Sequence, residues 1–588
     1  MSSKLQSFGR YLKDNFTIEK ETPYNSSSTQ SGPVEGDNFQ LETKKDEKII
    51  HYNDEVSSVA SRVQISSKTH RRLENRHIQL IGIGGTIGTA LFVSLGRGLY
   101  TGGPLSLFLA MTIWCVPICL ITVSTAEMVC YLPISSPFIR LSGRCVDEAF
   151  EFMAGWNFWF LEGSLIPFEV TAVNTIIHYW RDDYSAAIPL AIQMVLYFLI
   201  NTFAVRYYGE SEFWFAIGKV ILILLLICFT FVTMCGGNPA GDAYGFRYWT
   251  DPAIMNEYYK TGDLGRFLGY LSCAIRSCFV IAGPEYVSMA AGETINPRVT
   301  LKKAFKQVFV RLTFFFVMGA FCISTVVSSR DPTLVGAITE SIPGAGSSPY
   351  VVAMQNMKIK VLPDIVNIGL LLSAFSAGNS YSYCSSRSLY GMALDGKAPK
   401  FLSYCTKTGV PIFCVAVSLC WALLSFLQLG ENSATVLDWI VNLVTASQLI
   451  NFCVLCVTYI FFHKAVIAQG IDRNTFAFKG WYQPYLAYIG LAAAFLMVFV
   501  SGYTVFLPSW WSVKDFLFSY IMVFLDISLF IGYKIIKKTK IRNPLEVDLI
   551  TGLDEVEEHE RDYYEKLELN KDNPKKWYNY LSKYLFGE

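Results

Sequence analysis

The sequence predicts an all-α protein that crosses a membrane many times, and three observations support this prediction. Hydrophobic residues make up 52% of the 588 positions and charged residues only 16%, whereas a soluble domain usually carries about a quarter charged residues. The charges crowd the first ~75 and the last ~55 residues. Between them lie about twelve apolar stretches, each long enough to cross a ~30 Å hydrocarbon core as a helix.

The charge balance excludes several classes of function. The chain has 49 basic and 48 acidic residues and a formal net charge of +1, so no global field attracts nucleic acid. Six scattered histidines and no nucleophile–base or metal-ligand cluster argue against an integral membrane enzyme, and no cofactor is expected. An ion channel fits poorly because no filter sequence is visible.

The two tails differ from the apolar middle in composition. Residues 1–72 are rich in Ser, Lys, Glu, Asp and Asn, which predicts a disordered tail without a cleavable signal peptide. The transporter-like domain is predicted at 73–543, followed by a tail at 544–588. Near its end, Trp577, Tyr580, Leu581, Tyr584 and Leu585 recur at helical spacing. They are consistent with an amphipathic membrane-surface or trafficking helix, and equally with a solvated tail of weak local helicity.

The apolar middle divides into twelve predicted spans. They lie at 78–99, 104–131, 152–178, 184–205, 213–236, 266–291, 305–327, 361–393, 410–429, 434–461, 482–506 and 515–533. An even count places both tails on one side. Basic residues precede the first span and follow the last, so the positive-inside rule predicts that both tails are cytoplasmic.

The first span carries an unusual density of glycine. Gly82, Gly84, Gly85 and Gly88 lie within seven residues, and each costs a continuous helix roughly 1 kcal/mol relative to Ala. Small residues permit close helix packing in a membrane. The alternative is a broken helix whose freed amides hold an anionic group such as a carboxylate.

The sixth span offers a second interruption. Gly283, Pro284 and Glu285 lie in the middle of an otherwise apolar helix. A proline kink explains the Gly-Pro pair, but it does not explain a carboxylate that is costly in a bilayer. Matched interruptions five helices apart indicate an inverted-repeat transporter with its binding site at the two breaks.

Other charges lie deep in the apolar segments. Glu169, Lys219 and Arg276 are too deep to reach the membrane surface comfortably, so we expect them to face a polar cavity or one another. Glu127 lies near a helix end, where a structural role and a functional one are both open. Glu169 and Arg276 lie at similar depths from the outer surface, which predicts an ion pair between them.

Several motifs, in this order and spacing, resemble one family. The matching stretches are Gly84–Phe92, Ala282–Glu285, Gly292–Arg298, Ser376–Ser380, Ser385–Gly391 and Ala398–Lys400. From about Leu73 to Asn543 the chain resembles the fungal amino-acid permeases of the amino acid–polyamine–organocation superfamily. Within that family, Thr125–Cys130, Trp156–Glu162 and His178–Ser185 look most like a plasma-membrane member linked to carnitine and polyamine uptake.

The resemblance implies a LeuT-like fold of two inverted five-helix repeats, spans 1–5 and 6–10, plus two peripheral helices. It also implies proton-coupled uptake by alternating access. It places the substrate carboxylate at the amides around Gly88, Thr89 and Ala90 and the substrate ammonium at the carbonyls near Phe279, Val280 and Ala282. Gly85, Thr86 and Gly283 complete the expected substrate-binding residues. Lys219 is similar to a fifth-helix lysine that responds to protons in some relatives, and the other expected coupling or gating residues are Glu285, Glu169, Arg276 and Glu127. Phe279 would also stand at the family's aromatic gate.

Three departures from the family pattern bear on specificity. Ala90 stands where relatives usually have Gly, and Pro284 stands where they have a residue with an amide hydrogen. Arg276 adds positive charge to the presumed entry path. That charge disfavours a polyamine unless Glu169 or Glu162 neutralises it.

The sequence therefore predicts a plasma-membrane proton/amino-acid symporter of broad or low-affinity character, with carnitine or polyamines as substrates or regulated cargo. The expected partners are small-molecule substrates, protons, membrane lipid and trafficking or ubiquitin-ligase adaptors at the cytoplasmic tails. The alternative is a nutrient sensor with a transporter fold that regulates other uptake systems. Tails of roughly 75 and 55 residues are modest for a sensor, which favours transport.

Overall fold

The computed structural model describes residue 78 and residues 88–181, 183–203, 205–339, 348–406, 410–430 and 433–569. Every regular element among these residues is helical. The α-helices, numbered in chain order, are α1 (Ser94–Tyr131), α2 (Pro137–Cys145), α3 (Glu148–Ile177), α4 (Ala187–Phe203), α5 (Val205–Met234), α6 (Arg247–Thr250), α7 (Gly262–Val280), α8 (Pro284–Met289), α9 (Pro297–Arg311), α10 (Met318–Val326), α11 (Pro332–Thr339), α12 (Pro349–Asn356), α13 (Leu362–Leu394), α14 (Ile412–Leu419), α15 (Ser433–Ala468), α16 (Tyr485–Val500), α17 (Val513–Lys537) and α18 (Leu553–Leu569).

Tighter and wider helical turns join or extend these helices. The 3₁₀ segments are Thr89–Leu91, Ala290–Glu293, Lys400–Ser403, Cys420–Leu429, Arg473–Thr475 and Tyr503–Phe506, and a π-helical turn spans Leu312–Val317. In the described part of the chain, eight helical segments are long and apolar enough to cross a membrane, and α4 and α16 are shorter apolar helices. The prediction of an all-helical, multi-pass membrane protein is confirmed, while the count of twelve stays a prediction.

The described chain shows the break in the sixth span and the C-terminal side of the one predicted in the first. Gly88 is extended (φ −102°, ψ −162°), and a single 3₁₀ turn separates it from α1. In the sixth span, α7 ends at Val280 and α8 begins at Pro284, with Ile281 extended between them (φ −93°, ψ 103°). A proline at the first position of α8 needs no amide hydrogen there, which is why the helix restarts at this residue.

The first two spans meet at a glycine turn. Gly103 has φ +80°, a left-handed conformation that glycine adopts at little cost, and a Cβ there would lie 2.8 Å from the backbone nitrogen of Asn256. The Asn256 amide donates to the carbonyl of Gly102 at 2.9 Å. The turn therefore anchors the loop that precedes α7.

Two helices organise the packing around the interruptions. Helix α3 runs along α13, α15 and α17, and α1 runs along α7, α10 and α16. Side chains from all of these helices form one buried apolar core. The two broken segments therefore meet against α3 in the middle of the helical body.

The segment that ends in α18 packs against one face of the helical body, which we call the C-terminal face. Leu549 and Val556 are fully buried. Gln469 Nε2 donates to the carbonyl of Val547 at 2.7 Å, and Arg144 Nη1 donates to the carbonyl of Thr551 at 2.8 Å. Part of the predicted C-terminal tail thus packs on the helices, while the tail at 1–72 and the helical spacing at 577–585 lie outside the described residues.

Candidate functional site

A small central cavity lies between the two interruptions. Its volume is about 20 Å³, which is room for about one water molecule. It is lined by Ala90, Leu165, Phe168, Glu169, Phe279, Val280, Ala282, Tyr286, Tyr381, Val444 and Gln448. A ligand the size of an amino acid fits there only after helices or side chains move.

Several of the predicted substrate residues meet at this cavity. Ala90, Phe279, Val280 and Ala282 all line it. The ring of Phe279 packs edge-on against Phe168, with ring centroids 5.0 Å apart. The aromatic pair forms a wall where the sequence predicts a gate. Its role as a gate stays a prediction.

Other predicted substrate residues lie beside the cavity or outside the described chain. The amide of Gly283 donates to Glu285 Oε1 at 3.3 Å, so it is already hydrogen-bonded to a carboxylate of the protein. Gly85 and Thr86 lie outside the described residues, as do Gly82 and Gly84. The assignment of Gly85 and Thr86 to substrate binding stays a prediction.

Glu169 occupies the first interruption. Its carboxylate accepts hydrogen bonds from the Thr89 hydroxyl at 2.5 Å and from the Thr89 amide at 3.3 Å. A Cβ on Gly88 would lie 2.3 Å from Glu169 Oε1, so the absence of a side chain there makes room for the carboxylate. The predicted anion-binding amide therefore binds a carboxylate, and that carboxylate belongs to the protein.

Lys219 is a buried cation within electrostatic range of two carboxylates. Its side chain is 3% exposed and is in electrostatic contact with Glu212 and Glu169. Glu212 lies two turns earlier on α5 and accepts a hydrogen bond from the Ser376 hydroxyl at 3.1 Å. Lys219 thus interacts with Glu169 at the first interruption and with Glu212, which is hydrogen-bonded to α13.

Glu285 is held at the second interruption. Its Oε1 accepts hydrogen bonds from Gln448 Nε2 at 2.8 Å and from the Gly283 amide. Glu162 is fully buried and lies within electrostatic range of Glu285 and of the Tyr286 hydroxyl. Glu285, whose carboxylate a proline kink could not explain, therefore lies beside the cavity near a second acid. It is hydrogen-bonded to one side-chain amide and one backbone amide.

Arg276 does not pair with Glu169. Its Nη2 lies 3.3 Å from Asp438 Oδ1, and Arg97 binds the other oxygen of the same carboxylate. The predicted Glu169–Arg276 ion pair is wrong, because equal depth in the membrane does not fix which neighbouring helix a side chain faces. The Arg97–Asp438–Arg276 cluster instead joins α1, α7 and α15.

Glu127 lies at the other end of α1 and is fully buried. Its carboxylate accepts hydrogen bonds from Arg473 at 2.6 and 2.9 Å, from the Tyr459 hydroxyl at 2.8 Å and from the Gly480 amide at 2.8 Å. These contacts fasten the loop between α15 and α16 to α1. Of the two roles left open for Glu127, this geometry favours the structural one.

The sequence reasoning missed four polar residues of this region. Glu212 lies one position before the predicted start of the fifth span, so it was counted outside the membrane. Asp438 lies in the second turn of α15, where a search for an acid near the depth of Arg276 could have found it. Gln448 and Tyr381 are uncharged and gave no signal in a search for intramembrane charges.

The described residues contain no group of three or more His, Cys, Asp or Glu side chains that could hold a metal ion. The polar groups that the cavity offers are hydroxyl, amide and carboxyl groups. Such groups can bind the carboxylate and ammonium ends of a small zwitterion and can accept protons.

Known proteins are similar to this chain over most of its length. The "Amino acid permease" family model matches residues 77–546. The chain is 58% identical over 501 residues to the General amino acid permease AGP2 of Saccharomyces cerevisiae, with 84% of each chain covered. It is 38% identical over 508 residues to the Proline-specific permease of the same yeast (85% of this chain, 81% of the relative). It is 33% identical over 597 residues to the Dicarboxylic amino acid permease (98% and 95%).

Proposed function

Because the chain belongs to the amino acid permease family, we propose that it is a plasma-membrane permease that takes up amino acids together with protons by alternating access. The family assignment and the named permeases among its relatives support amino-acid transport rather than catalysis. Coupling to protons, broad specificity and the inclusion of carnitine or polyamines among the cargo are the further parts of this proposal.

The central cavity is the observation that carries the proposal. It borders both broken segments, and Glu169 and Tyr381 line it. Because its volume is about 20 Å³, cargo can enter only when the surrounding helices or side chains move apart. A site that must open in order to load is what alternating access requires.

The wall residues support one orientation for a bound amino acid. Its carboxylate would lie at Thr89 and Ala90, and its ammonium group would lie at the carbonyls of Phe279, Val280 and Ala282. In this orientation each charged end meets backbone groups that the two interruptions leave without helical partners.

The charges around the cavity bear on which class of cargo it binds. Glu162, Glu169 and Glu285 are all buried, and buried carboxylates favour a cargo that carries positive charge. Asp438 pairs with Arg276 and also with Arg97, so this cluster keeps one net positive charge. The three buried carboxylates outnumber that charge, so carnitine and polyamines remain in the proposal beside ordinary amino acids.

The membrane orientation is part of the same proposal. We place the C-terminal face in the cytoplasm, where its basic side chains satisfy the positive-inside rule. Both tails would then be available to trafficking or ubiquitin-ligase adaptors.

An uptake assay tests the proposed function. Radiolabelled amino acids, carnitine and spermidine are offered to permease-depleted yeast that expresses the chain, with and without a proton gradient. Gradient-dependent accumulation of one class, abolished by an uncoupler, is the expected result. Cells that carry the empty vector control for residual uptake, and surface labelling controls for expression.

A second outcome would favour the sensor. If the chain reaches the surface without accumulating any cargo, and its presence changes the activity of other uptake systems, transport is not its function. The chain would then bind a nutrient and signal.

A further inference from the structure

Thr89 gives both of its hydrogen-bond donors to Glu169. The hydroxyl binds Glu169 Oε2 and the amide binds Oε1, and Glu169 is only 1% exposed. Ala90, the next residue, lines the central cavity, and Glu169 lines it as well. The protein's own carboxylate therefore occupies the donors that the proposed function assigns to the carboxylate of the cargo.

We propose that the Glu169 carboxylate and the carboxylate of the cargo take turns on Thr89, and that Glu169 takes up one proton when it yields its place. This inference rests on the proposed function, because it needs a cargo with a carboxylate. Two carboxylates cannot share the two donors of Thr89 in a water-poor site without strong repulsion. One of them must become neutral or leave.

The exchange is balanced in atoms and charge. A proton from the solution adds to one Glu169 oxygen and converts the carboxylate into a carboxylic acid. The hydrogen bonds from Thr89 pass to the carboxylate of the arriving amino acid. No covalent bond other than the new O–H forms, and one proton enters with each carboxylate.

Titratable groups on three other helices interact with Glu169. Lys219 on α5 acts on it electrostatically, and so do the hydroxyl groups of Tyr197 on α4 and Tyr381 on α13. Lys219 also interacts electrostatically with Glu212. When Glu169 becomes neutral, Lys219 therefore keeps one acidic partner and stays compensated.

Three other buried acids have partners elsewhere: Glu285 is held by Gln448, Glu212 by Ser376 and Glu127 by Arg473. A fourth, Glu162, lies within electrostatic range of Glu285. Glu169 is the acid that is hydrogen-bonded to Thr89, so its charge conflicts directly with a second carboxylate there.

The test counts protons on the purified full-length protein in detergent. The probe is a mixture of the common L-amino acids, added to weakly buffered protein that contains a pH-indicator dye. Ligand-dependent thermal stabilisation reports binding in a parallel sample. The variants are Glu169→Gln and, as a matched control, Glu151→Gln, which makes the same change on α3 at a residue that pairs with Lys397.

The expected result separates binding from proton uptake. Wild type and Glu151→Gln take up about one proton per bound amino acid. Glu169→Gln is still stabilised by the mixture but takes up no protons above background. In wild type, affinity falls by about tenfold per pH unit once the pH exceeds the midpoint of the transition, and in Glu169→Gln this fall is absent.

Two results would overturn the inference while the proposed function stands. One is binding by wild type without proton uptake, and the other is equal proton uptake by wild type and Glu169→Gln. If the mixture stabilises neither wild type nor Glu151→Gln, the proposed function is overturned first, and the inference that rests on it is overturned too.

A second variant decides the matter if Glu169→Gln does not fold. Thr89→Val removes the hydroxyl that holds the Glu169 carboxylate and leaves the carboxyl group itself unchanged. We expect the pH midpoint of amino-acid binding to move to higher pH in this variant, because the ionised form of Glu169 loses a hydrogen bond. A midpoint equal to that of wild type would contradict the exchange at Thr89.

Discussion

Arg298 and Glu560 connect the start of α9 to the C-terminal helix. Arg298 Nη1 lies 3.2 Å from Glu560 Oε2, and the Arg298 amide donates to Glu560 Oε1 at 3.4 Å. Arg298 Nη2 also reaches Glu557 at 3.4 Å. Helix α9, the next helix after α8, is thereby tied to a segment far away along the chain.

The change Glu560→Lys should loosen this tie. Partly exposed ion pairs are worth about 0.2–1 kcal/mol, so reversing one charge beside Arg298 should raise the open population of α18 up to about fivefold. Limited proteolysis within residues 553–569 measures this opening. The exposed Glu558→Lys on the same helix is the control, and equal cleavage of the two variants would contradict the role of the pair.

Asp147 should make stability depend on acid pH. Burial tends to raise the pKa of its carboxyl, but hydrogen bonds from Lys534 and from the Ala149 amide, together with the charge of Lys534, hold the pKa below its ordinary value. A lowered pKa stabilises the fold above pH ~4, and this stabilisation is lost as the pH falls through the lowered value. The midpoint of thermal unfolding should therefore fall more for wild type than for Asp147→Asn when the pH is lowered from 5 to 3. Both pH values lie about one unit from the ordinary pKa of an Asp carboxyl.

Asp183 provides the control for this pH effect. It pairs with Arg181 in solvent, with side chains 60% and 72% exposed. Asp183→Asn should follow the pH dependence of wild type. If Asp147→Asn also follows it, the Asp147–Lys534 pair contributes nothing that depends on pH.

Removing the Glu127 carboxylate should destabilise the protein strongly. Glu127→Ala leaves Arg473 and the Gly480 amide without their acceptor, and breaking a buried pair costs about 3–5 kcal/mol. The double change Glu127→Ala with Arg473→Ala should cost less than the sum of the single changes, because no uncompensated charge remains. The midpoint of thermal unfolding in detergent measures all three, and additive effects would count against the network.

The change Gly88→Ala should abolish uptake. The new Cβ would lie 2.3 Å from Glu169 Oε1, so the carboxylate must leave Thr89. The control Gly218→Ala places a methyl group where no heavy atom lies within 4 Å, and it should stabilise α5 by about 0.5–1 kcal/mol. Uptake is measured for both variants at equal surface expression. Normal uptake by Gly88→Ala would show that the close approach of Gly88 to Glu169 is not required.

Lys219→Ala should abolish pH-dependent uptake while surface expression stays intact. Glu169 and Glu212 would lose the cation in contact with both of them, and their mutual repulsion would then oppose ionisation. Uptake measured across acidic and neutral pH provides the check. A pH profile identical to that of wild type would remove Lys219 from the coupling mechanism.

The sequence predicted the positions of the breaks better than it predicted the partners of individual charges. Glycine density and a buried Gly-Pro-Glu are local signals, and a helix cannot run through them unchanged, so Gly88 and Gly283 could be assigned from the chain alone. The cavity residues Ala90 and Phe279 followed from those breaks and from the family resemblance.

Partners depend on helix rotation, which the apolar patterning left undetermined. Spans that are apolar on all sides carry little amphipathic signal, so depth alone was used to pair Glu169 with Arg276. Asp438 and Thr89 are the observed partners, and both lie on neighbouring segments whose facing could be known only after the helices were packed. Boundary error hid Glu212 in the same way, because one residue decided whether it counted as intramembrane.

The exchange of the Glu169 carboxylate for the cargo carboxylate at Thr89 also affects the energetics of transport. If one proton replaces the negative charge of Glu169 while a neutral zwitterion enters, the loaded protein carries one more positive charge than the unloaded one. Each cycle then moves charge through the membrane field, so the transport is electrogenic. A potential of 100 mV contributes about 2.3 kcal/mol per charge, which sets an accumulation ratio of about 50-fold before any pH difference is added.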